Sequence, residues 1–293
     1  MLATLYAIAV SFIMAGTSVV GKILAGYGFT PFFLAFFRFG ISSLILFPFV
    51  SRNEFAKINR RDATYFLLLG VTGIFLFNVL FFAALRYTSI ISVSLIGATN
   101  PIIALLIVTL INKNMPSRNH LLSLAFAFMG VCLIILSDNV SNSSITSSNL
   151  GEFLALAAVF CQISFALLIR YISNKFSSLF VTFMAGICGV ICLVPFIINF
   201  NWSILLNLKF DGIFSLFYLG IISGAISTLL YAKTVKILGA SSTNMIVFSL
   251  WPFFTCIIAS FFGFTPTIWH LMGGILVLVA LYIDIKGRKI IFR

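Results

Sequence analysis

The chain has 293 residues, of which 61% are hydrophobic and only 8% are charged, and its mean hydropathy is +1.19. Soluble domains carry roughly 25% charged residues, so this composition excludes a water-soluble globular fold. The net charge of +12 does not indicate a nucleic-acid-binding protein, because the basic residues are spread over short loops between apolar runs.

Ten apolar runs follow one another along the chain. Each is close to the roughly 20 residues that an α-helix needs to cross the hydrocarbon core of a bilayer. The first five are predicted at 3–24, 31–50, 64–86, 90–111 and 119–137, and the second five at 150–172, 177–198, 211–232, 240–263 and 267–285. The sequence therefore predicts an all-α integral membrane protein of ten transmembrane helices embedded in the lipid bilayer.

The distribution of Lys and Arg predicts the orientation of these spans, because basic residues resist translocation and collect in cytoplasmic loops. Fourteen of the 18 basic residues fall in alternate segments on the same side of the membrane as the N-terminus. Lys22, Arg86 and Lys209 fall on the other side, and Arg38 lies inside the second span. Both termini are therefore predicted to be cytoplasmic, in a multi-pass protein of the bacterial inner (plasma) membrane.

The second five spans repeat the order of the first five. A Ser- and Asn-rich outer linker at 138–149 separates a first repeat at 1–137 from a second at 150–293. A shift of 147 residues places Pro48 on Pro195, and a shift of 151 places Pro101 on Pro252. Because five is an odd number, the second repeat must cross the membrane in the opposite sense. In carriers, such an inverted repeat puts the substrate site near the midplane.

Several short motifs resemble the EamA family of the drug/metabolite transporter superfamily. They are LAFFRF at 34–39, FAALRY at 82–87, Asn100-Pro101, Trp251-Pro252 and the glycine pair at 273–274. The resemblance covers nearly the whole chain. It implies a ten-helix carrier that moves small metabolites, amino acids or amphipathic toxic compounds.

Arg38 is the candidate substrate contact that stands out most. An arginine near the centre of a bilayer costs about 2.5–3.5 kcal/mol on insertion scales, so it normally faces water, a partner or a ligand. One interpretation is a cationic contact for a carboxylate of the substrate. The alternative is that Arg38 snorkels outward or ties down backbone carbonyls between helices.

Pro101 and Pro252 are predicted to kink the fourth and ninth spans, since each removes a backbone hydrogen bond near the middle of its helix. Asn100 and Trp251 immediately precede them, and Asn244 lies two turns before Trp251. We expect these helices to line the central cavity, with the two asparagines binding substrate and Trp251 stacking on it. Alternatively, the prolines are ordinary kinks and the amides bridge helices.

Four further polar side chains fall inside apolar spans and are candidate substrate contacts: Ser18, Asn78, Gln162 and Tyr231. A stripe of small and hydroxyl residues such as the one around Ser18 is equally typical of a close helix contact.

No cofactor or metal site is predicted, because the five cysteines lie in apolar runs without metal-ligand spacing. All six acidic residues map to loops or span ends: Glu54, Asp62, Asp138, Glu152, Asp211 and Asp284. A buried carboxylate relay for proton coupling is therefore not predicted, which favours facilitated diffusion or exchange.

These features predict a secondary transporter of a small metabolite, such as an amino acid, another zwitterionic or amphipathic compound, or an S-adenosylmethionine-like molecule, acting by alternating access as a monomer or homodimer. The alternatives are an exporter of drugs or toxic metabolites and a non-transporting membrane scaffold. A membrane-embedded enzyme is disfavoured, because no nucleophile with its base and no paired acids can be assembled from one loop or span.

Overall fold

The structure is a computed structural model that describes residues 2–111, 118–141, 149–198, 200–263 and 266–291, and within these ranges it contains helices and turns but no strand. Most of the predicted linker at 138–149 lies outside the described residues. The side chains of Asp138 and Asp284 lie outside them as well.

The long helices follow the predicted spans closely. The first half contains α1 (Leu2–Gly26), α2 (Pro31–Leu46), α3 (Arg60–Tyr87), α4 (Ile90–Ile111) and α5 (Arg118–Ser141). The second half contains α6 (Leu150–Ile172), α7 (Ser178–Ile197), α8 (Phe210–Leu238), α9 (Ala240–Phe261) and α10 (Ile268–Ile291). Within the described ranges, eight helices are long and apolar enough to cross a membrane, and α5 and α10 contain the shorter apolar stretches Leu121–Gly130 and Ile268–Ala280. The prediction of a helical protein with many spans is confirmed, and the number ten stays a prediction.

Helix boundaries are set by local capping. Asn59 and Asp62 form a capping box, in which each side chain accepts a hydrogen bond from the other residue's backbone N–H, so α3 begins four residues earlier than its apolar run. Thr30 caps the start of α2, and Ser177 caps the start of α7. Each side-chain hydroxyl accepts a hydrogen bond from the backbone N–H of the residue three positions later. A short helix precedes α3 at Arg52–Phe55, and another precedes α8 at Ser203–Leu206.

Both α3 and α8 pass through a π-helical segment, at Gly70–Leu76 and Tyr218–Ile226. A π-helical segment shifts the hydrogen-bond ladder by one residue and frees carbonyl groups for other donors, and such segments occur frequently at functional sites. The two segments were not predicted. They occupy corresponding positions in the two halves of the chain.

The helices pack in corresponding pairs. Helix α1 packs along α8 and α9, α6 packs along α3 and α4, α2 packs on α7, and α5 packs on α10. Lys22, near the end of α1, bonds to Leu85 near the end of α3. Lys175, just after α6, pairs instead with Asp62 in the first turn of α3. The last turn of α1 therefore lies at one end of α3 and the last turn of α6 at the other. Since α3 has 28 residues and is about 42 Å long, these ends are far apart, and α6 runs antiparallel to α1.

Candidate functional site

Arg38 lies in the middle of the helix bundle and is only 6% exposed. Its Nη1 donates to Asn78 Oδ1 at 2.8 Å, and its Nη2 donates to the Ser223 carbonyl at 3.0 Å. Its Nε is buried and has no hydrogen-bond acceptor among the described residues. Arg38 therefore joins α2 to α3 and α8 while keeping one donor free.

Both partners of Arg38 depend on the π-helical segments. Asn78 follows the segment in α3 and donates from Nδ2 to the carbonyls of Gly73 and Ile74, at 2.9 and 3.0 Å. The Ser223 carbonyl lies within the segment of α8. Helix α8 also approaches α2 closely at Gly224, where a Cβ would collide with the Arg38 carbonyl. The distorted turns thus supply the acceptors that hold the guanidinium.

Four of the predicted site residues line one small cavity: Arg38, Asn78, Gln162 and Tyr231. They come from α2, α3, α6 and α8. The cavity has a volume of about 30 Å³, which has room for about one water molecule and is far too small for a metabolite. A substrate could occupy this position only if the helices around it move apart.

Among the described residues, no carboxylate lines this cavity. The acidic side chains that the structure describes lie near helix starts or in the short helix before α3: Glu54, Asp62, Glu152 and Asp211. In the described part of the chain, Arg38 forms no ion pair. The positive charge of Arg38 is therefore balanced only by neutral oxygen atoms and by the ring of Phe39, whose centroid is 5.1 Å from Cζ.

A chain of polar side chains leads from the cavity to the fourth helix. Tyr231 donates from its hydroxyl to Asn244 Oδ1 at 2.6 Å, and Asn244 Nδ2 donates to Asn100 Oδ1 at 2.8 Å. Asn100 is fully buried, and its own Nδ2 has no acceptor among the described residues. Asn100 and Asn244 thus bridge α4 and α9, and a donor remains free at Asn100.

The two predicted kinks differ. Helix α4 is interrupted by a turn at Ala98 and Thr99, directly before Asn100 and Pro101, and the Thr99 carbonyl accepts from two backbone N–H groups. Pro252 lies inside α9, which stays helical on both sides of it. Only the interruption at Pro101 places an amide with a free donor in the bundle interior.

Trp251 lies beside the cavity and not in it. Its Nε1 donates to Ser18 Oγ at 3.3 Å, and its ring covers Gly97 so closely that a Cβ there would overlap it. Phe81 and Phe248 lie 6.0 and 5.8 Å from the ring, centroid to centroid. A second cavity of about 10 Å³ lies between these rings, and Gln162 lines both cavities.

Sequence reasoning did not identify the phenylalanines that line the two cavities. Phe77, Phe81 and Phe248 line the cavities, but nothing distinguishes them in the sequence from the other phenylalanines among the 35. The π-helical segments had a weak signal, since glycines recur at corresponding positions in α3 and α8. For metals, the described residues contain no group of three or more His, Cys, Asp or Glu side chains that could hold an ion.

Comparison with known proteins identifies the family. The chain matches the family model described as "EamA-like transporter family" over residues 1–136 and 149–284. It is 26% identical over 263 residues to the uncharacterized transporter YyaM of Bacillus subtilis, with 89% of this chain and 86% of that protein covered. An uncharacterized transporter of Archaeoglobus fulgidus is 25% identical over 256 residues, with 86% and 87% covered.

The fold also matches a solved structure, titled only "Crystal structure of protein". The TM-score is 0.64 at 15% sequence identity, with 99% of this chain and 97% of that chain covered. The shared fold, the apolar helices and the family match agree with one another. The chain belongs to the EamA-like transporter family and is a multi-pass membrane transporter.

Proposed function

We propose that this protein is a secondary transporter that carries a small zwitterionic metabolite, with a carboxylate and an apolar or aromatic part, across the plasma membrane by alternating access. The observation that carries the proposal is the buried Arg38, whose charge has no counter-ion in the described part of the chain and whose Nε is unpaired.

Electrostatics favours an anionic ligand at Arg38. Burying a cation without a counter-charge is costly, and the cost falls when an anion with good hydrogen-bond geometry enters. A carboxylate can accept from two guanidinium nitrogens at once. Nε is free, and the neighbouring Nη2 is held only by the Ser223 carbonyl, so a carboxylate could bind this edge of the guanidinium without displacing Asn78.

The rest of the site suits the other parts of a zwitterion. The cavity wall that the structure describes contains no acidic side chain, so an ammonium group would be held by neutral oxygens, which Gln162, Tyr231 and Thr228 supply. An apolar or aromatic part would fit among the rings of Phe77, Phe81 and Trp251. This arrangement supports amino acids and amphipathic zwitterions over inorganic ions.

The architecture proposed is ten spans in two five-helix repeats of opposite orientation, with both termini in the cytoplasm. Three observations support it: the antiparallel directions of α1 and α6, the corresponding π-helical segments of α3 and α8 and the predominance of basic residues on one side. Because the cavity at Arg38 is smaller than a metabolite, transport requires the bundle to open toward each side in turn.

A binding screen on purified protein tests the proposal. Thermal stability would be measured with amino acids and with their carboxamide analogues, which keep the shape but lose the negative charge. We expect the carboxylates to stabilise the wild-type protein and the carboxamides not to do so. Arg38→Met should abolish the difference, whereas Arg86→Met, at an exposed position, should retain it.

Uptake into proteoliposomes provides the second measurement. Counterflow of a stabilising amino acid should be lost in Arg38→Met and kept in Arg86→Met. If Arg38→Met binds and exchanges every carboxylate as well as wild type does, Arg38 is a structural residue and the proposed substrate class is wrong.

A second candidate function is export of amphipathic compounds, and one observation favours it. An apolar groove of about 340 Å³ lies between α4, α9 and α10, lined by Leu95, Phe253 and Leu271 among others, with His270 also in its wall. A lipophilic ligand could enter such a groove without contacting Arg38. Resistance to lipophilic cations that persists in Arg38→Met would support export over zwitterion transport.

A further inference from the structure

Lys22, near the end of α1, bonds to the end of α3. Its Nζ donates to the carbonyls of Leu85 and Thr88, at 2.6 and 2.9 Å. Leu85 is the third residue from the end of α3. Its carbonyl therefore belongs to the last four of the helix, which have no intrahelical partner and carry the negative end of the helix dipole.

The opposite end of the bundle has a corresponding arrangement. Arg170, near the end of α6, donates from Nη1 to the carbonyl of Lys236 at 3.0 Å. Lys236 is the third residue from the end of α8, the position that Leu85 occupies in α3. The Lys236 ammonium in turn donates to the Phe176 carbonyl, in the turn after α6, at 3.1 Å.

These contacts lie where the pair α1 and α8 meets the pair α3 and α6. Helix α1 packs against all three parts of α8, and α6 packs against all three parts of α3. Between the pairs, α1 meets α3 along Phe77–Tyr87, and α6 meets α8 along Ser227–Leu238. Each meeting stretch runs from the lining of the Arg38 cavity, at Asn78 or at Tyr231, towards the helix end to which Lys22 or Arg170 bonds.

We propose that Lys22 forms one latch and that Arg170 with Lys236 forms the other, and that the two latches close the substrate cavity at opposite ends and open in alternation. This rests on the proposed function, since a latch has a role only if the cavity opens to both sides. Both latches are closed in this structure. This agrees with the small volume of the cavity between them, which has room for about one water molecule.

The chemistry of the latches suits repeated opening. A hydrogen bond from a cation to a carbonyl is stronger than a neutral one, so each latch favours the closed end. The effect should be larger for the part-buried Lys22 latch than for the Arg170 latch, whose bond to the Lys236 carbonyl is exposed. When the end opens, water can solvate the ammonium or guanidinium and the bare carbonyl. Beside the Lys22 latch, the buried Glu152 carboxylate accepts a hydrogen bond from the Thr88 hydroxyl at 2.5 Å, so Thr88 joins this carboxylate to the latch.

Cysteine labelling tests the latches without any substrate. Two buried reporters lie one turn before the latch cations at corresponding positions: Ser18→Cys before Lys22, and Ala166→Cys before Arg170. They would be introduced into a variant whose five native cysteines are replaced by serine. A membrane-impermeant maleimide would be applied to intact cells and to inside-out vesicles.

We expect Lys22→Met to raise labelling of the Ser18→Cys reporter from the outer face, by roughly ten- to a hundredfold for each charged hydrogen bond lost. Arg170→Met combined with Lys236→Met should do the same for the Ala166→Cys reporter from the inner face. In each case labelling from the opposite face should stay the same or fall.

Matched controls separate latching from general loosening. Arg86→Met and Lys233→Met remove exposed cations next to Leu85 and near Lys236, and neither should change labelling. Lys22→Arg, which keeps a donor cation, should restore the low rate. Size-exclusion chromatography of each variant would confirm that it is folded.

Labelling of both reporters from both faces in Lys22→Met, or of neither, would overturn the latch assignment. Opening of each latch at the face opposite to the expected one would keep the latches and refute the predicted membrane orientation. Failure of Arg38-dependent binding with normal labelling behaviour would refute the substrate class alone.

Discussion

Replacing Asn78 should lower the stability of the protein by an amount that can be worked out from its hydrogen bonds. Asn78 is fully buried and takes part in three hydrogen bonds: it accepts from Arg38 and donates to the carbonyls of Gly73 and Ile74. Replacing it with leucine, of similar volume, removes all three and takes from Arg38 Nη1 its acceptor.

The expected loss of stability follows from these bonds. A hydrogen bond to a charged group contributes about 1.5–3 kcal/mol and a neutral one about 1 kcal/mol in soluble proteins. Side-chain hydrogen bonds in a membrane protein have averaged closer to 0.6 kcal/mol. For Asn78→Leu we therefore expect a loss of about 2–4 kcal/mol in the free energy of unfolding.

The assay is unfolding in mixed micelles, followed by tryptophan fluorescence. Asn207→Leu is the matched control, since Asn207 is exposed and makes only a long hydrogen bond to the Ser203 carbonyl at 3.4 Å. Combining Asn78→Leu with Arg38→Met should cost less than the sum of the single changes, because removing the arginine also removes its unpaired charge. Equal stability of Asn78→Leu and Asn207→Leu would refute the argument that Asn78 holds the guanidinium.

Three further outcomes are expected. Gly97→Ala should displace the Trp251 ring, lowering stability by about 1–3 kcal/mol; an unchanged tryptophan emission spectrum would contradict this contact. Tyr231→Phe removes the hydroxyl that donates to Asn244 and should cost about 1 kcal/mol, and should cost nothing further once Asn244 is already valine. The hydrogen bond from the Tyr27 hydroxyl to the Asp211 carboxylate raises the pKa of Tyr27. This bond should therefore stabilise the protein below pH 10 and cease to do so as the pH rises further. In Tyr27→Phe, the free energy of unfolding should no longer show this fall at high pH.

Much of the candidate site was predictable from single residues that are costly in a membrane. Arg38, Asn78, Gln162 and Tyr231 stand out because they are polar within apolar runs, and the structure brings these four side chains around one cavity. Asn100 and Asn244, predicted from their positions near the prolines, contact each other directly. Trp251 lies to one side and contacts Ser18.

The sequence by itself determined the membrane class and the approximate positions of the helices, because both follow from local hydropathy over about 20 residues. It also indicated a repeat and a family resemblance. The partners of Arg38 could not be predicted, because Asn78 is 40 residues away and Ser223 is 185 residues away. The hydropathy of a helix does not specify which other helices lie next to it.

Only the tertiary structure decided which polar groups are paired and which are free. The π-helical segments of α3 and α8 supply the carbonyls that bind Arg38 and Asn78. A proline near the middle of an apolar run likewise did not reveal that the helix is interrupted before Pro101 and continuous through Pro252. Hydropathy specifies that a segment is buried in the membrane, whereas the register between helices specifies which side chain meets which carbonyl.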